Sequence, residues 1–393
     1  MEKQERKNLA IMFAVGYLAY GVIYFARLNF SVAASLMESA GTLTKAQIGL
    51  IGSAFSLVYA LAKVPNGYLG DRLNTKHTVA AGLAIAGVSN IVIGLAPTFT
   101  VTVLFWGLNA FGQSMLWGPL LRGFAENYTV AVSRKLSPYL TSSIGVGSVL
   151  GLLVSMALSR RLGAGVCFIV PGAACLVSAA AVLLFLKGSP GRRSADGESI
   201  FRVVAGFIKD RKFRKMIVPA LGHGMVKDNV SVWMVVFFVT AYSVDISEVT
   251  AYVFFIPLCT LLGRLLYPPL LRVFGKARRL SALSYAITAL SAGVLCVRGI
   301  PMWGATVCLA LISTFASVLN TNFVAIFPQE YAGKDLSFAA STIDLMIYGG
   351  AAIGSAIYGR IIELTGFSGM YVIWIAVSVI CIPLVLRDGK KAQ

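Results

Sequence analysis

The chain has 393 residues, of which 57% are hydrophobic and only 13% charged, with a mean hydropathy of +0.79. A soluble globule of this composition would lack the polar side chains to cover its surface, so the composition excludes one and places the chain in a lipid bilayer. The formal net charge of +18 would suggest a nucleic-acid partner in a soluble domain, but the charges gather in alternate loops between apolar runs and read as membrane topology, with no nucleic acid expected.

Apolar runs follow one another at 9–36, 46–70, 77–96, 99–125, 136–159, 165–186, 215–242, 248–271, 279–297, 302–327, 335–362 and 367–386. At about 1.5 Å per helical residue each can cross a hydrocarbon core of about 30 Å. The expected fold is therefore an all-α integral membrane protein of twelve transmembrane helices. The first run follows the charged head MEKQERKN and is too long for the apolar stretch of a signal peptide, so it is expected to stay as a membrane helix. Basic residues fall at the head (Lys3, Arg6, Lys7), at Arg72 and Lys76, Arg134 and Lys135, Lys187 to Lys215, Arg272 to Arg279, Lys334, and the tail (Arg387, Lys390, Lys391). The opposite loops hold only Lys45, Arg160, Arg161 and Arg298, which puts both termini in the cytoplasm and suggests the cell membrane.

In the first run Arg27 shares a helical face with Tyr20, Tyr24 and Ser31. A cation in hydrocarbon costs roughly 3 kcal/mol, so its first reading is a binding group for an anion, facing a cavity. Snorkelling to the outer interface is the competing reading, because the run ends soon after it. The second run carries Ser56, Tyr59 and Lys63 at helical spacing, then Asn66 and GYLGDRLNTKH. Lys63 either enters the cavity or snorkels to the cytoplasmic side. Asp71 and Arg72, at the helix end, are candidates for gating contacts that form in one conformation and break in the other. Arg122 ends the fourth run as a gate or a loop anchor.

A polar stretch rich in Gly, Ser and basic residues, GSPGRRSADGESIFRVVAGFIKDRKFRK, divides the chain into bundles 1–187 and 215–393 with a linker at 188–214. Its later part, Ile200 to Lys215, either lies as an amphipathic helix on the anionic inner leaflet or is a solvated linker. Each half has a basic loop after its second helix, DRLNTKH and LRVFGKARR, which points to an internal repeat. The repeat puts Arg27 and Lys227 on corresponding helices. A two-fold axis along the membrane normal would bring both to one central cavity, as an alternating-access carrier needs and a channel does not.

On the seventh helix His223, Lys227 and Ser231 recur every four residues, with Asp228 about 100° round the helix. Asp228 can neutralise Lys227 locally, pair with a base on another helix, or carry a proton. On the eleventh, Ser337, Ser341, Asp344 and Tyr348 form a polar stripe. Asp344 is read as a proton site, as a partner for Arg27 or Lys227, or as a structural hydrogen-bonding group. Arg264, Arg360 and Glu363 lie nearer helix ends and are expected to snorkel.

The six cysteines (Cys167, Cys175, Cys259, Cys296, Cys308, Cys381) lie in apolar runs without CxxC spacing and read as small hydrophobes. The sequence has no GxxxxGK[ST] phosphate loop and only two histidines, His77 and His223. No enzyme activity, cofactor or metal is expected, and the energy for any transport should come from a gradient or an exchange.

Four segments carry a resemblance. GYLGDRLNTK resembles the helix 2 to 3 signature of the major facilitator superfamily, in the form with asparagine after DRx found in its organophosphate:phosphate antiporter family. YFARLNFSVA (Tyr24 to Ala33), YALAK (Tyr59 to Lys63) and GQSMLWGPLLR (Gly112 to Arg122) are similar to stretches of the same family. The resemblance implies that Arg27 grips phosphate, that Lys63 is a binding-site lysine, and that Lys227, six residues before Trp233, stands where the exchangers have an arginine. A lysine there resembles the glucose phosphate branch. In departure from the pattern, the helix-five histidine of glycerol phosphate carriers is replaced near Ile144, and Asp228 and Asp344 add negative charge.

The expected function is secondary active transport of an organic anion, an organophosphate exchanged for inorganic phosphate, by a monomer. Arg27, Lys227, Tyr20, Tyr24, Tyr59, Lys63, Ser231 and Tyr348 would bind substrate, and Asp228 and Asp344 would serve as proton or ion-pair sites. The alternatives are a proton-coupled symporter of a carboxylate, sulfonate or sugar acid, and a non-transporting sensor of the same fold.

Overall fold

The computed structural model describes residues 3–191, 199–244 and 246–386, and leaves the side chains of some helical residues, Ser231 among them, outside the description. Its helices are α1 (Lys3–Ser39), α2 (Lys45–Arg72), α3 (Thr75–Leu95), α4 (Phe99–Ser114), α5 (Trp117–Asn127), α6 (Val130–Leu162) and α7 (Val166–Phe185), followed by α8 (Ile200–Lys209), α9 (Arg211–Tyr242), α10 (Ile246–Phe274), α11 (Ala277–Leu295), α12 (Met302–Thr321), α13 (Leu336–Thr365) and α14 (Phe367–Leu386). No strand occurs among the described residues.

Local chemistry sets the helix ends. Thr44 opens α2 with a reciprocal cap, its hydroxyl accepting from the Gln47 amide while the Gln47 side chain accepts from the Thr44 amide. Asn74, Thr98 and Asp210 cap α3, α4 and α9. At the other ends Gly275 and Gly366 adopt φ of 71° and 69° and donate to the carbonyls of Leu271 and Ile362 at 2.8 and 2.9 Å.

The twelve apolar runs are all helical, with two corrections. The run at 99–125 is two helices, broken at Met115 and Leu116, with Pro119, which has no N–H to give the carbonyl of Met115, in the first turn of the second. The run at 302–327 leaves α-geometry at Asn322, passing through a π turn (Asn322–Ile326) into a 3₁₀ turn (Phe327–Tyr331). Among the described residues eight helices are long and apolar enough to cross a membrane, or nine with α9, which bends by 42° between Val230 and Val232. The break leaves α4 and α5 too short to enter that tally separately.

The chain forms two compact units. The first comprises Met1–Ala195 with Pro328–Thr342, and the second Asp196–Phe327 with Ile343–Gln393. In the first, α1 packs on α6 and α7, α3 on α4 and α7, and α2 on α4. In the second, α9 packs on α13 and α14, α11 on α12 and α14, and α10 on α12. The same order of neighbours in both units is the internal repeat that the basic loops suggest.

Helices in lipid gain no hydrophobic energy from meeting, so close packing must hold them. Glycines provide it here. In the first unit they meet in pairs, Gly82 with Gly112 and Gly87 with Gly172, where an added Cβ would come within 3.0 Å of the opposing carbonyl. In the second, Gly224 lies on the backbone of Ile347, Gly350 on that of Leu221, and Gly263 on that of Thr314.

Candidate functional site

In the first unit α1 is not continuous at the charge. Ala26 leaves helical geometry, with φ −79° and ψ 15°, immediately before Arg27. The guanidinium carbon of Arg27 lies 5.7 Å from the ring centre of Tyr24, 4.8 Å from that of Phe55 and 4.9 Å from that of Tyr59. Rings at these distances offer their negative faces to the cation. The ammonium of Lys63 lies 4.5 Å from the centre of the same Tyr59 ring, and the residue is 1% exposed. Lys63 is thus buried against the Tyr59 ring and does not snorkel. Tyr20 extends the aromatic surface, 5.6 Å from Tyr24 and 4.8 Å from Trp117.

Phe55 is the residue that sequence spacing overlooked. Ser56 donates to the carbonyl of Gly52 and Ser31 to that of Leu28, each on its own helix. Phe55 lies one turn before Tyr59 on α2, so the spacing already offered it as a neighbour of that ring.

Buried amides fix α1 on both sides of Arg27. The Ala26 carbonyl accepts from Asn109 Nδ2 at 3.2 Å and Gln113 Nε2 at 3.3 Å, both from α4. Asn29 donates to Asn90 Oδ1 and to the Cys167 carbonyl, each at 2.9 Å.

In the second unit Lys227 Nζ donates to Asp228 Oδ1 at 2.6 Å, and lies 5.7 Å from the ring centre of Tyr348 on α13. Of the three roles open to Asp228, local neutralisation of Lys227 is the one observed. His223, one turn before Lys227, is 2% exposed and lies 3.3 Å from Asn320 Oδ1 on α12. Arg264 corrects the expectation of snorkelling, since it is 8% exposed on α10. Asp344 is half-buried on α13. The side chain of Ser231 lies outside the described residues.

The remaining stripe residues of α13 have another role. Ser337 and Ser341 are buried in the first unit, against glycines of α2 and α5: Ser337 at Gly70 and Gly118, Ser341 at Gly67. Asp71 accepts from the amides of Ser337 at 2.9 Å and Phe338 at 2.8 Å, so its carboxylate sits on the N-terminal turn of α13, where the helix dipole favours negative charge. Arg72 stacks on Tyr68, 3.6 Å from the ring centre, and reaches Asp335 at 3.8 Å. Gln329 donates to Ser137 Oγ at 2.9 Å. Arg122 is 2% exposed and holds the carbonyls of Gly70, Leu73 and Ser189 and the hydroxyl of Thr75, tying α2, α3 and the segment after α7. Of the two roles read for Arg122, this geometry is that of an anchor. Among the described residues no group of three or more His, Cys, Asp or Glu could hold a metal ion.

Comparison with known proteins bears on this arrangement. A probable hexose phosphate transport protein of Chlamydia trachomatis is 31% identical over 175 residues, which are 44% of this chain and 38% of that protein. The membrane sensor protein UhpC of Salmonella typhimurium is 36% identical over 97 residues, 25% of this chain and 22% of that one. The matched stretches thus span less than half of each relative. Among solved structures, the fucose:proton symporter FucP of E. coli superposes with a TM-score of 0.79 at 15% identity, over 95% of this chain and 97% of that one, a likeness of fold. The family model described as Major Facilitator Superfamily matches residues 16–326. With that match over most of its length, and with helices long and apolar enough to cross a membrane among the described residues, the chain is a multi-pass membrane protein that belongs to the Major Facilitator Superfamily.

Proposed function

We propose that the protein is a secondary transporter of an organic anion, an organophosphate exchanged for inorganic phosphate, working by alternating access. One observation carries this reading: Arg27 and Lys63, on two otherwise apolar helices, lie over the same Tyr59 ring. Two cations kept this close in an apolar setting repel each other, and an anion carrying two negative charges relieves that repulsion better than one carrying a single charge. A phosphate monoester is such an anion. The chlamydial relative named for hexose phosphate transport supports the same class of substrate.

On this reading Arg27 and Lys63 grip the phosphoryl group, with Arg27 supplying a forked donor, and Tyr20, Tyr24 and Tyr59 line the way to it. In the bundle 215–393, which the linker 188–214 joins to the bundle 1–187, Lys227, Ser231 and Tyr348 would bind substrate and Asp344 would serve as a proton or ion-pair site. Asp228 acts as an internal competitor for Lys227, so a substrate must displace its carboxylate to be bound there. Asp71 and Arg72 form a latch on the cytoplasmic side, released once per cycle, beside the fixed anchor of Arg122. Both termini lie in the cytoplasm, the membrane is the cell membrane, and the chain acts as a monomer. Helix α8, with Phe201 81% exposed beside Arg202 and Lys209, rests on the anionic inner leaflet.

A second reading, proton-coupled symport of a carboxylate, sulfonate or sugar acid, is favoured by the Lys227–Asp228 pair, since an acid released from its lysine can take up a proton. A third, a sensor without flux, has the name of the Salmonella relative behind it. The deciding experiment is thermal stabilisation of the purified protein by inorganic phosphate, sugar phosphates, glycerol phosphate, sugar acids and sulfonates, repeated with Arg27→Ala. Stabilisation by phosphate and one phosphorylated compound, lost in the variant, is expected. Stabilisation only by an unphosphorylated acid, growing as pH falls, would replace this reading with the symporter.

A further inference from the structure

The break at Ala26 sits where a regular helix would be the simpler solution. Its surroundings are all buried: Ala26 and Asn109 are 0% exposed and Gln113 is 1% exposed. A backbone carbonyl inside a membrane helix is ordinarily satisfied by its own helix, and side-chain amides in hydrocarbon are costly unless they are bonded. Here two amides from α4 converge on one carbonyl, at 3.2 and 3.3 Å, and Gln113 Nε2 also donates to Asn109 Oδ1 at 3.0 Å, so the two donors orient each other. Inserting polar groups into the carbonyl ladder is a recognised cause of sharp helix kinks. The residue after the clamped carbonyl is Arg27, and a change of ψ at residue 26 swings the direction of the Arg27 side chain directly.

We propose that Asn109 and Gln113 are positioning residues for Arg27: by holding the Ala26 carbonyl they maintain the kink that aims the guanidinium into the rings of Tyr24, Phe55 and Tyr59. A guanidinium gives a phosphate two parallel hydrogen bonds only when its plane is correctly turned, so the clamp acts on affinity through orientation and touches no substrate itself. Asn29, two residues further on and tied to α3 and α7, holds the helix beyond the kink, so that the bend is confined to one peptide. This inference rests on Arg27 being an anion-binding group.

The test uses the full-length protein in nanodiscs with two readouts. The first is the concentration of inorganic phosphate giving half-maximal thermal stabilisation. Asn109→Ala/Gln113→Ala is expected to raise it about tenfold. Asn127→Ala, which removes hydrogen bonds to Gly123, Lys187 and Ser189 beside Glu5 and Asn8 at the opposite end of α1, about 30 Å along the helix from Arg27, is expected to leave it within twofold even where it lowers the melting temperature. The second needs no ligand. With arginine labelled by ¹⁵N, the Arg27 Nε–H signal, assigned from Arg27→Lys, is shifted by the ring currents of its aromatic neighbours, and the double variant is expected to move it toward the position of free arginine. Should the double variant not fold, Asn109→Ala and Gln113→Ala singly, each keeping one donor, are expected to show about threefold weaker phosphate binding and a partial shift. An unmoved Arg27 signal with wild-type phosphate affinity in the folded variants would overturn the clamp. Loss of the ring-current shift with no phosphate effect in either the clamp variants or Arg27→Ala would leave the clamp standing and remove the binding role of Arg27.

Discussion

Lys227 and its chain neighbour Asp228 are 2.6 Å apart, nitrogen to oxygen, and the two side chains remain 21% and 36% accessible. Under the proposed function the lysine would meet a substrate with its charge already compensated. Because the pair is partly solvated, its worth is at most about 1 kcal/mol. Asp228→Asn is expected to raise the affinity for inorganic phosphate about threefold, and Lys227→Ala to abolish transport while the protein still folds. Phosphate binding and counterflow in proteoliposomes measure both. If Asp228 instead carries a coupling proton, Asp228→Asn would eliminate accumulation driven by a pH gradient.

Tyr59 lies under both Arg27 and Lys63. Cation–π contacts away from water are worth up to about 2 kcal/mol. Tyr59→Leu should therefore raise the half-saturating substrate concentration about tenfold, while Tyr59→Phe, which keeps the ring, should stay within about twofold. Equal behaviour of the two variants would mean that the ring does not organise the cations.

The carboxylate of Asp71 accepts two amides of the first turn of α13. Bonds to an ionised acceptor contribute about 1.5–3 kcal/mol each before mutual compensation. Asp71→Ala is expected to lower stability by about 2 kcal/mol and to slow exchange about tenfold, with phosphate affinity nearly unchanged, as suits a latch remote from the binding groups. A variant with normal exchange would show that the contact is structural only.

Arg122 reaches three carbonyls and a hydroxyl from one planar group. Lysine keeps the charge but presents its donors from a single point and cannot span those acceptors. Arg122→Lys should destabilise the protein by about 2–3 kcal/mol, read as a lower melting temperature. A melting temperature equal to the wild type would contradict the anchoring role.

Much of the fold was legible because hydrocarbon imposes a simple rule: every spanning backbone must satisfy itself, so long apolar runs become helices. The exceptions arose where that local rule was interrupted, as in the run at 99–125, where Pro119 stands in the first turn of the second helix. The site was legible only in part. Helical periodicity gives the face a residue occupies but not what stands opposite. Thus Ser337 and Ser341 read only as part of a polar stripe, yet fill the space left by Gly67, Gly70 and Gly118, and Arg264 reads as snorkelling yet is buried. Nor does the pattern of α1 announce a break at Ala26. Its partners Asn109 and Gln113 lie more than eighty residues away, and polar residues in an apolar run look alike whether they bond within a helix or across to another.

The account depends most on exchange at Arg27. The decisive measurement is uptake of ³²P-labelled inorganic phosphate into proteoliposomes, loaded with unlabelled phosphate or left empty, for the wild-type protein and Arg27→Ala. Uptake is expected only into phosphate-loaded vesicles, with inhibition by an external sugar phosphate, and none with Arg27→Ala. Uptake into empty vesicles driven by a pH gradient, or undiminished exchange in Arg27→Ala, would contradict it.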